Sequence, residues 1–349
     1  MKAKIPYLMP LIVGGALCVL PQFLGPYYMN MAVMTLMWAY LSTCWNIVGG
    51  FAGQHSYGHS VFYGIGAYAV AFLGTRYGIN PWIAGLVGFA LAAGAGWFMA
   101  FLTFRFDMKA LYFALVTIAI AEAMVFIVSN TAVLGGAKGL SIPVEGEDLL
   151  RMQTGSLSFF FYFGLILCVG ALLLTIVLRR RKFFFNLMAV RDDETAAASL
   201  GINPVKNQTV AVALSAALCA FGGVLYAQYL LYVNPVMFGS MVGVQIVLYA
   251  LVGGEGRVWG PFVGACVLVP FVEYTRGTIG TRFSGADLMI MGAVMILVMM
   301  FMPGGILGLV DSVRKRFSPR RTNGQGLTPE REDEAALHDL RADREGGTA

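Results

Sequence analysis

An all-α polytopic membrane protein with about 8–10 transmembrane helices, some of them discontinuous, is the fold class this sequence predicts. Three observations carry that expectation. Of 349 residues, 58% are hydrophobic and only 12% are charged, against roughly a quarter charged in an ordinary soluble domain. The apolar residues gather into about ten runs close to the ~20 residues a helix needs to cross a bilayer. Glycine, at 43 residues, suits helices that pack backbone to backbone or break inside lipid.

In chain order the runs lie at 8–24, 28–48, 57–74, 82–104, 110–132, 157–178, 207–231, 240–252, 259–274 and 286–302. The first follows Lys2 and Lys4 and mimics a signal peptide, but no small-residue cleavage site with a soluble domain comes after it. It is read as a retained span. Runs 57–74 and 240–252 are the weakest, and short or glycine-interrupted segments are what transporters place beside a midplane site.

If ten spans alternate, Lys2 and Lys4, Arg105 and Lys109, the 179–191 region and the basic residues of 314–321 fall on one side. The positive-inside rule makes that side cytoplasmic, with both termini on it. The loop 133–156, with Glu145, Glu147 and Asp148, falls on the other side; so do Arg76, Lys138, Arg151, Arg276 and Arg282, which leaves the bias incomplete. The expected division is a transmembrane domain over 1–310 and a charged cytoplasmic tail over 311–349. Pro319, Gly324 and Gly326 mark a linker in that tail, and 329–344 is at most a short exposed helix in a segment whose composition is that of a disordered chain.

A net charge of +5 raises nucleic acid as a partner. The basic residues cluster at span ends and in the tail, where topology accounts for them, so membrane lipid and no nucleic acid is expected. Cys18, Cys44, Cys168, Cys219 and Cys266 stand alone in apolar runs without CxxC spacing, as packing residues do.

Residues 46–68, NIVGGFAGQHSYGHSVFYGIGAY, put Asn46, Gln54, His55, Ser56 and His59 among six glycines. Backbone that leaves the helix in lipid must line a cavity or be buried in protein, which points to a substrate path; a cytoplasmic hairpin is the competing reading. His55 and His59 share a face if that stretch is helical. The remaining histidine, His338, lies in the tail, so neither a metal nor any other cofactor is expected. Glu122 sits within an apolar run, where a carboxylate serves either as substrate contact or as a bond between helices. The stretch 251–265, LVGGEGRVWGPFVGA, breaks the apolar pattern again and repeats the layout of the earlier glycines, a likeness that chance explains. No GxxxxGK[ST], GxSxG or HExxH occurs in the chain, so ATP hydrolysis by this chain is not expected.

The longest charged interruption is 191–201, RDDETAAASLG, after the basic run Arg179, Arg180, Arg181 and Lys182. A short helix outside the membrane is expected over 192–201. Asp192, Asp193 and Glu194 crowd its start, where carboxylates complement the helix dipole, and Gly201 stands at its end.

Together these blocks resemble the branched-chain amino-acid ABC transporter permeases, specifically the LivM-type subunit. The likeness is carried by 46–68; by LYFALVTIAIAEAMVF at 111–126 with LGGAKGL at 134–140; by 189–227; by 251–265; and by FMPGGILGL at 301–309. It implies the ABC importer permease fold and a multi-pass place in the bacterial inner membrane. The implied partners are a homologous second permease subunit, two cytoplasmic ATP-binding subunits and a periplasmic solute-binding protein. Gln54, Gly58 and His59 match the family's GQ…GH positions, Glu122 its acid, and Glu194 and Gly201 its coupling motif. The expected substrate path is therefore Asn46, Gln54, His59 and Glu122. The expected ATPase-coupling residues are Arg191, Asp192, Asp193, Glu194, Ala197 and Gly201. His55, Tyr57, Ala137 and Lys138 depart from the family pattern, which leaves urea, short amides or aromatic acids beside branched-chain amino acids as cargo. The reading from another class is an ATPase-independent carrier or intramembrane enzyme using His59 and Glu122.

Overall fold

Helices dominate the computed structural model, which describes residues 5–106, 110–144, 146, 151–278, isolated positions between 289 and 300, and 304–309. The expected span 286–302 lies largely outside the described residues, as do Glu145, Glu147, Asp148 and the tail from 311 onward. The helices are α1 (Ile5–Cys18), α2 (Pro26–Asn46), α3 (His59–Tyr77), α4 (Pro81–Arg105), α5 (Ala110–Asn130), α6 (Leu157–Leu178), α7 (Lys182–Asp192), α8 (Glu194–Ser199), α9 (Pro204–Leu230), α10 (Ser240–Gly253) and α11 (Gly260–Thr278). A π-helical turn, Ile47–Phe51, extends α2.

Helices therefore stand at nine of the ten expected places. Among the described residues, five segments are long and apolar enough to cross a membrane: Pro26–Phe51, Pro81–Arg105, Ala110–Asn130, Leu157–Leu178 and Pro204–Leu230. Helix α10 has 14 residues, about 21 Å of rise against ~30 Å of hydrocarbon. It is the short piece that the run 240–252 foretold.

Local chemistry sets the ends. Helices α4 and α9 begin at Asn-Pro: proline takes the first helical position, and the preceding amide accepts an orphan N–H, Asn80 Oδ1 from Trp82 N and Asn203 Oδ1 from Lys206 N, each at 2.9 Å. Threonines inside the spans satisfy themselves on the preceding turn; the hydroxyls of Thr43, Thr103 and Thr175 donate to Ala39, Met99 and Ala171 carbonyls at 2.7–2.8 Å.

Helix α9 is the spine. Its Gly223 meets the backbone of Tyr63 and Ala67 on α3, and Gly66 of α3 meets that of Ala220, so closely that a Cβ at either glycine would overlap the partner's backbone. Helix α4 runs antiparallel to α9, with Gly85 against Val224 and Gly96 against Ala216. At the far end of α5 and α9, two short strands, β1 (Leu140–Ser141) and β2 (Tyr232–Val233), pair antiparallel with Leu140 opposite Val233. The loops after α5 and α9 thus share one face of the bundle.

Candidate functional site

Chain 47–58 descends from α2, turns and climbs back to the start of α3. Trp45 Nε1 on the way down donates to Ser56 O on the way up at 2.7 Å. It is a hairpin, and it is buried in protein along most of its length. Asn46 at its head is fully buried, and its amide is committed: Nδ2 donates to Arg257 O and Oδ1 accepts from Gly256 N, both at 2.9 Å. Gln54 is buried with its Oε1 unpartnered. His55 lies in the turn, where its Nε2 meets Glu255 Oε2 at 3.1 Å.

His55 and His59 do not share a helix face, because α3 begins only at His59. His59 is fully buried and bonded at both ring nitrogens, Nδ1 to Ser56 Oγ at 3.0 Å and Nε2 to Ser215 Oγ at 2.8 Å. Ser215 spends its proton on Cys44 O at 2.6 Å, so its oxygen accepts from His59 Nε2–H. Ser56 then donates to Nδ1, and the imidazole is held neutral in one tautomer. Both nitrogens are occupied without a metal. Among the described residues no group of three potential metal ligands occurs.

Helices α3 and α10 begin side by side. Ser60 Oγ donates to Phe238 O at 2.8 Å, and Gly243 packs on the Tyr57 carbonyl. Beside the first turn of α10 stands Glu122, near the middle of α5 and exposed on the outside of the chain. Its Oε1 accepts from Ser240 N at 3.0 Å and from Ser240 Oγ at 2.5 Å. A carboxylate at a helix N-terminus is favourable twice over, through orphan N–H groups and through the dipole.

The polar interruption is two helices where one was expected over 192–201. Arg191 and Asp192 close α7; Asp193 is extended at φ −156° and caps α8, its Oδ1 accepting from Ala196 N at 2.9 Å. An aspartate that bonds the backbone three residues ahead breaks one helix and starts the next. Glu194 opens α8, and Ala197 is its one buried residue. Gly201 has φ +81° with open space around it, so the backbone conformation itself calls for glycine. Arg191 turns inward: its Nη1 donates to the Gly50 carbonyl, so this expected coupling residue grips the hairpin. Leu200, which sequence reasoning passed over, is 81% exposed at the tip of this lever.

A family model described as "Branched-chain amino acid transport system / permease component" matches residues 27–299. The chain belongs to this permease family. The permease is 29% identical over 305 residues, 80% of its own length and 69% of the relative's, to the high-affinity branched-chain amino acid transport system permease protein LivM of Salmonella typhimurium. It matches LivM of Escherichia coli to the same degree over 301 residues. A shorter similarity, 31% over 120 residues, links it to LivH of Salmonella typhimurium, covering 34% of this chain and 38% of that protein. No solved structure matches.

In this permease the sequence-derived residues form three groups, one of them Asp192, Asp193, Glu194, Ala197 and Gly201 on the lever. Asn46, Gln54, His55 and Arg191 lie around the hairpin, while Glu122 sits with Ser240 on α10. Glu255 and Ser240, the partners of His55 and Glu122, were not foreseen. Their signals were a lone acid between glycines and a serine opening a short apolar helix.

Proposed function

We propose that this permease is the LivM-like subunit of an ABC importer that moves branched-chain or related hydrophobic amino acids across the bacterial inner membrane. A homologous second permease completes the channel, two separate cytoplasmic ATPase subunits drive it, and a periplasmic binding protein delivers the cargo. Both termini and the α7–α8 lever face the cytoplasm, and the translocating unit extends over 1–310.

The observation that carries the reading is Glu122. A carboxylate halfway along a membrane helix and exposed on the outside of the chain is costly against lipid tails. Facing a second permease across a polar path removes that cost. Both of its bonds use Oε1, which leaves Oε2 for the ammonium of an amino acid, while the apolar flanks of α5 receive the side chain. Asn46 and His59 support the path from behind, because their polar groups are committed within the chain.

The carrier or enzyme alternative would need His59 and Glu122 to exchange a proton. His59 bonds Ser56 and Ser215, and Glu122 bonds Ser240, so among the described residues no hydrogen bond runs between them. The deciding experiment is uptake of radiolabelled leucine, phenylalanine and urea into proteoliposomes holding the permease alone or with all partner subunits. ATP-dependent leucine uptake by the full set alone is expected. Flux through the permease alone would overturn the reading.

A further inference from the structure

The two glycine-rich turns, 47–58 after α2 and 254–259 between α10 and α11, close on each other. Asn46 bonds two peptide groups of the second turn, at Gly256 N and Arg257 O, and His55 meets Glu255 across the gap. Gly50 lies so near Gly256 that a Cβ would overlap Gly256 N and Asn46 Oδ1. Arg191 fills the remaining corner. It donates to Gly50 O; a Cβ on Gly53 (φ +69°) would stand 2.9 Å from its Cγ, and one on Gly256 (φ +71°) 3.1 Å from its Nη1. Gly53 thus leaves room for the stem of Arg191 and Gly256 for its guanidinium. A second tie runs alongside: Phe184 of α7 packs edge-on against Phe51 of the same hairpin, with ring centroids 4.5 Å apart. Two residues past Arg191, the chain is already the cap of α8.

We propose that Arg191 is the positioning residue that transmits lever movement to a cytoplasmic gate formed by these two glycine turns. This rests on the reading of the chain as an importer subunit. Displacing α7 and α8 pulls on Gly50 and Phe51 together, because arginine's rigid fork and the ring contact fix both to α7. The turns separate where helix ladders do not hold them, at the two Asn46 bonds and the half-exposed His55–Glu255 pair. That pair is the weakest of these ties, a single hydrogen bond between half-exposed side chains.

The test uses the complete importer in proteoliposomes, reading ATP hydrolysis and leucine uptake on the same preparation. In R191A, hydrolysis stimulated by the binding protein is expected near wild type while uptake falls by about tenfold or more, the size of an ordinary coupling term; R191K is expected to recover part of it. Hydrolysis and uptake falling in step, or both unchanged, would overturn the proposal. Should R191A fail to assemble, H55C/E255C joined by a short thiol-reactive bridge is the second arm. Uptake is expected to stop on bridging and return on reduction; uptake that continues through the bridge overturns the gate. A wild-type complex that moves no leucine would instead remove the importer reading on which the proposal stands.

Discussion

Glu122 and Ser240 lie 118 residues apart, yet one carboxylate oxygen takes both the backbone N–H and the hydroxyl of Ser240, at 3.0 and 2.5 Å. The short helix α10 therefore starts on a negative charge carried by α5. Replacing Glu122 by Gln keeps an acceptor for Ser240 but removes the charge. Hydrogen bonds to charged groups contribute about 1.5–3 kcal/mol, so E122Q is expected to lower leucine uptake by about tenfold or more, with assembly and ATPase association unchanged. Uptake measured against leucine concentration checks this. Wild-type kinetics in E122Q would place Glu122 outside the path.

Leu200 presents an apolar side chain to solvent at the tip of the lever, 81% exposed. A side chain of this kind stabilises a contact by about 1.5–3 kcal/mol when buried. L200D is expected to weaken co-purification of the ATPase subunits by about tenfold while leaving the thermal midpoint of the isolated permease unchanged. A pull-down titrated with ATPase subunit decides it, and undiminished binding would show that the lever docks through another surface.

The helices were legible because span length and composition are properties of single segments. The Asn80-Pro81 and Asn203-Pro204 starts follow from local chemistry in the same way. The lever was only half legible. Ala-rich content and Gly201 marked its existence, but Asp193 could have been an interior acid or a cap, and only its extended backbone decides. The pairings escaped altogether. Arg191 with Gly50, His55 with Glu255 and Glu122 with Ser240 bridge separations of 118 to 200 residues, and no periodicity within either segment encodes its partner. The likeness between the two glycine stretches, read from sequence as chance, is where they meet in space.

Asn46 offers a cleaner energetic test, because both halves of its amide hold buried or half-buried backbone groups of a distant turn. Leucine at this position leaves Gly256 N–H without its partner, while Arg257 C=O keeps the bond it accepts from Gly260 N at 3.3 Å. The orphaned N–H costs about 1–3 kcal/mol, so N46L is expected to lower the thermal midpoint of the detergent-solubilised permease by a few degrees. A midpoint for N46L equal to wild type would mean that the turn finds other partners.

The glycines separate into two kinds that behave oppositely on substitution. At Gly66 and Gly223 a methyl group would meet the backbone of the facing helix, which cannot yield as a side-chain tip can. G66A and G223A are therefore expected to push α3 from α9 and cost more than the 1–3 kcal/mol typical of overpacking, read as loss of folded, monodisperse permease. Gly94 and Gly170 are helical too, but among the described residues nothing lies within 4 Å of a Cβ there. Alanine favours a helix over glycine by about 1 kcal/mol, so G94A and G170A are expected to hold or raise the thermal midpoint in the isolated chain. If G170A leaves the isolated permease intact yet prevents assembly of the importer, its face of α6 is where another subunit packs. If G66A and G94A prove equally harmless, α3 and α9 do not touch as described.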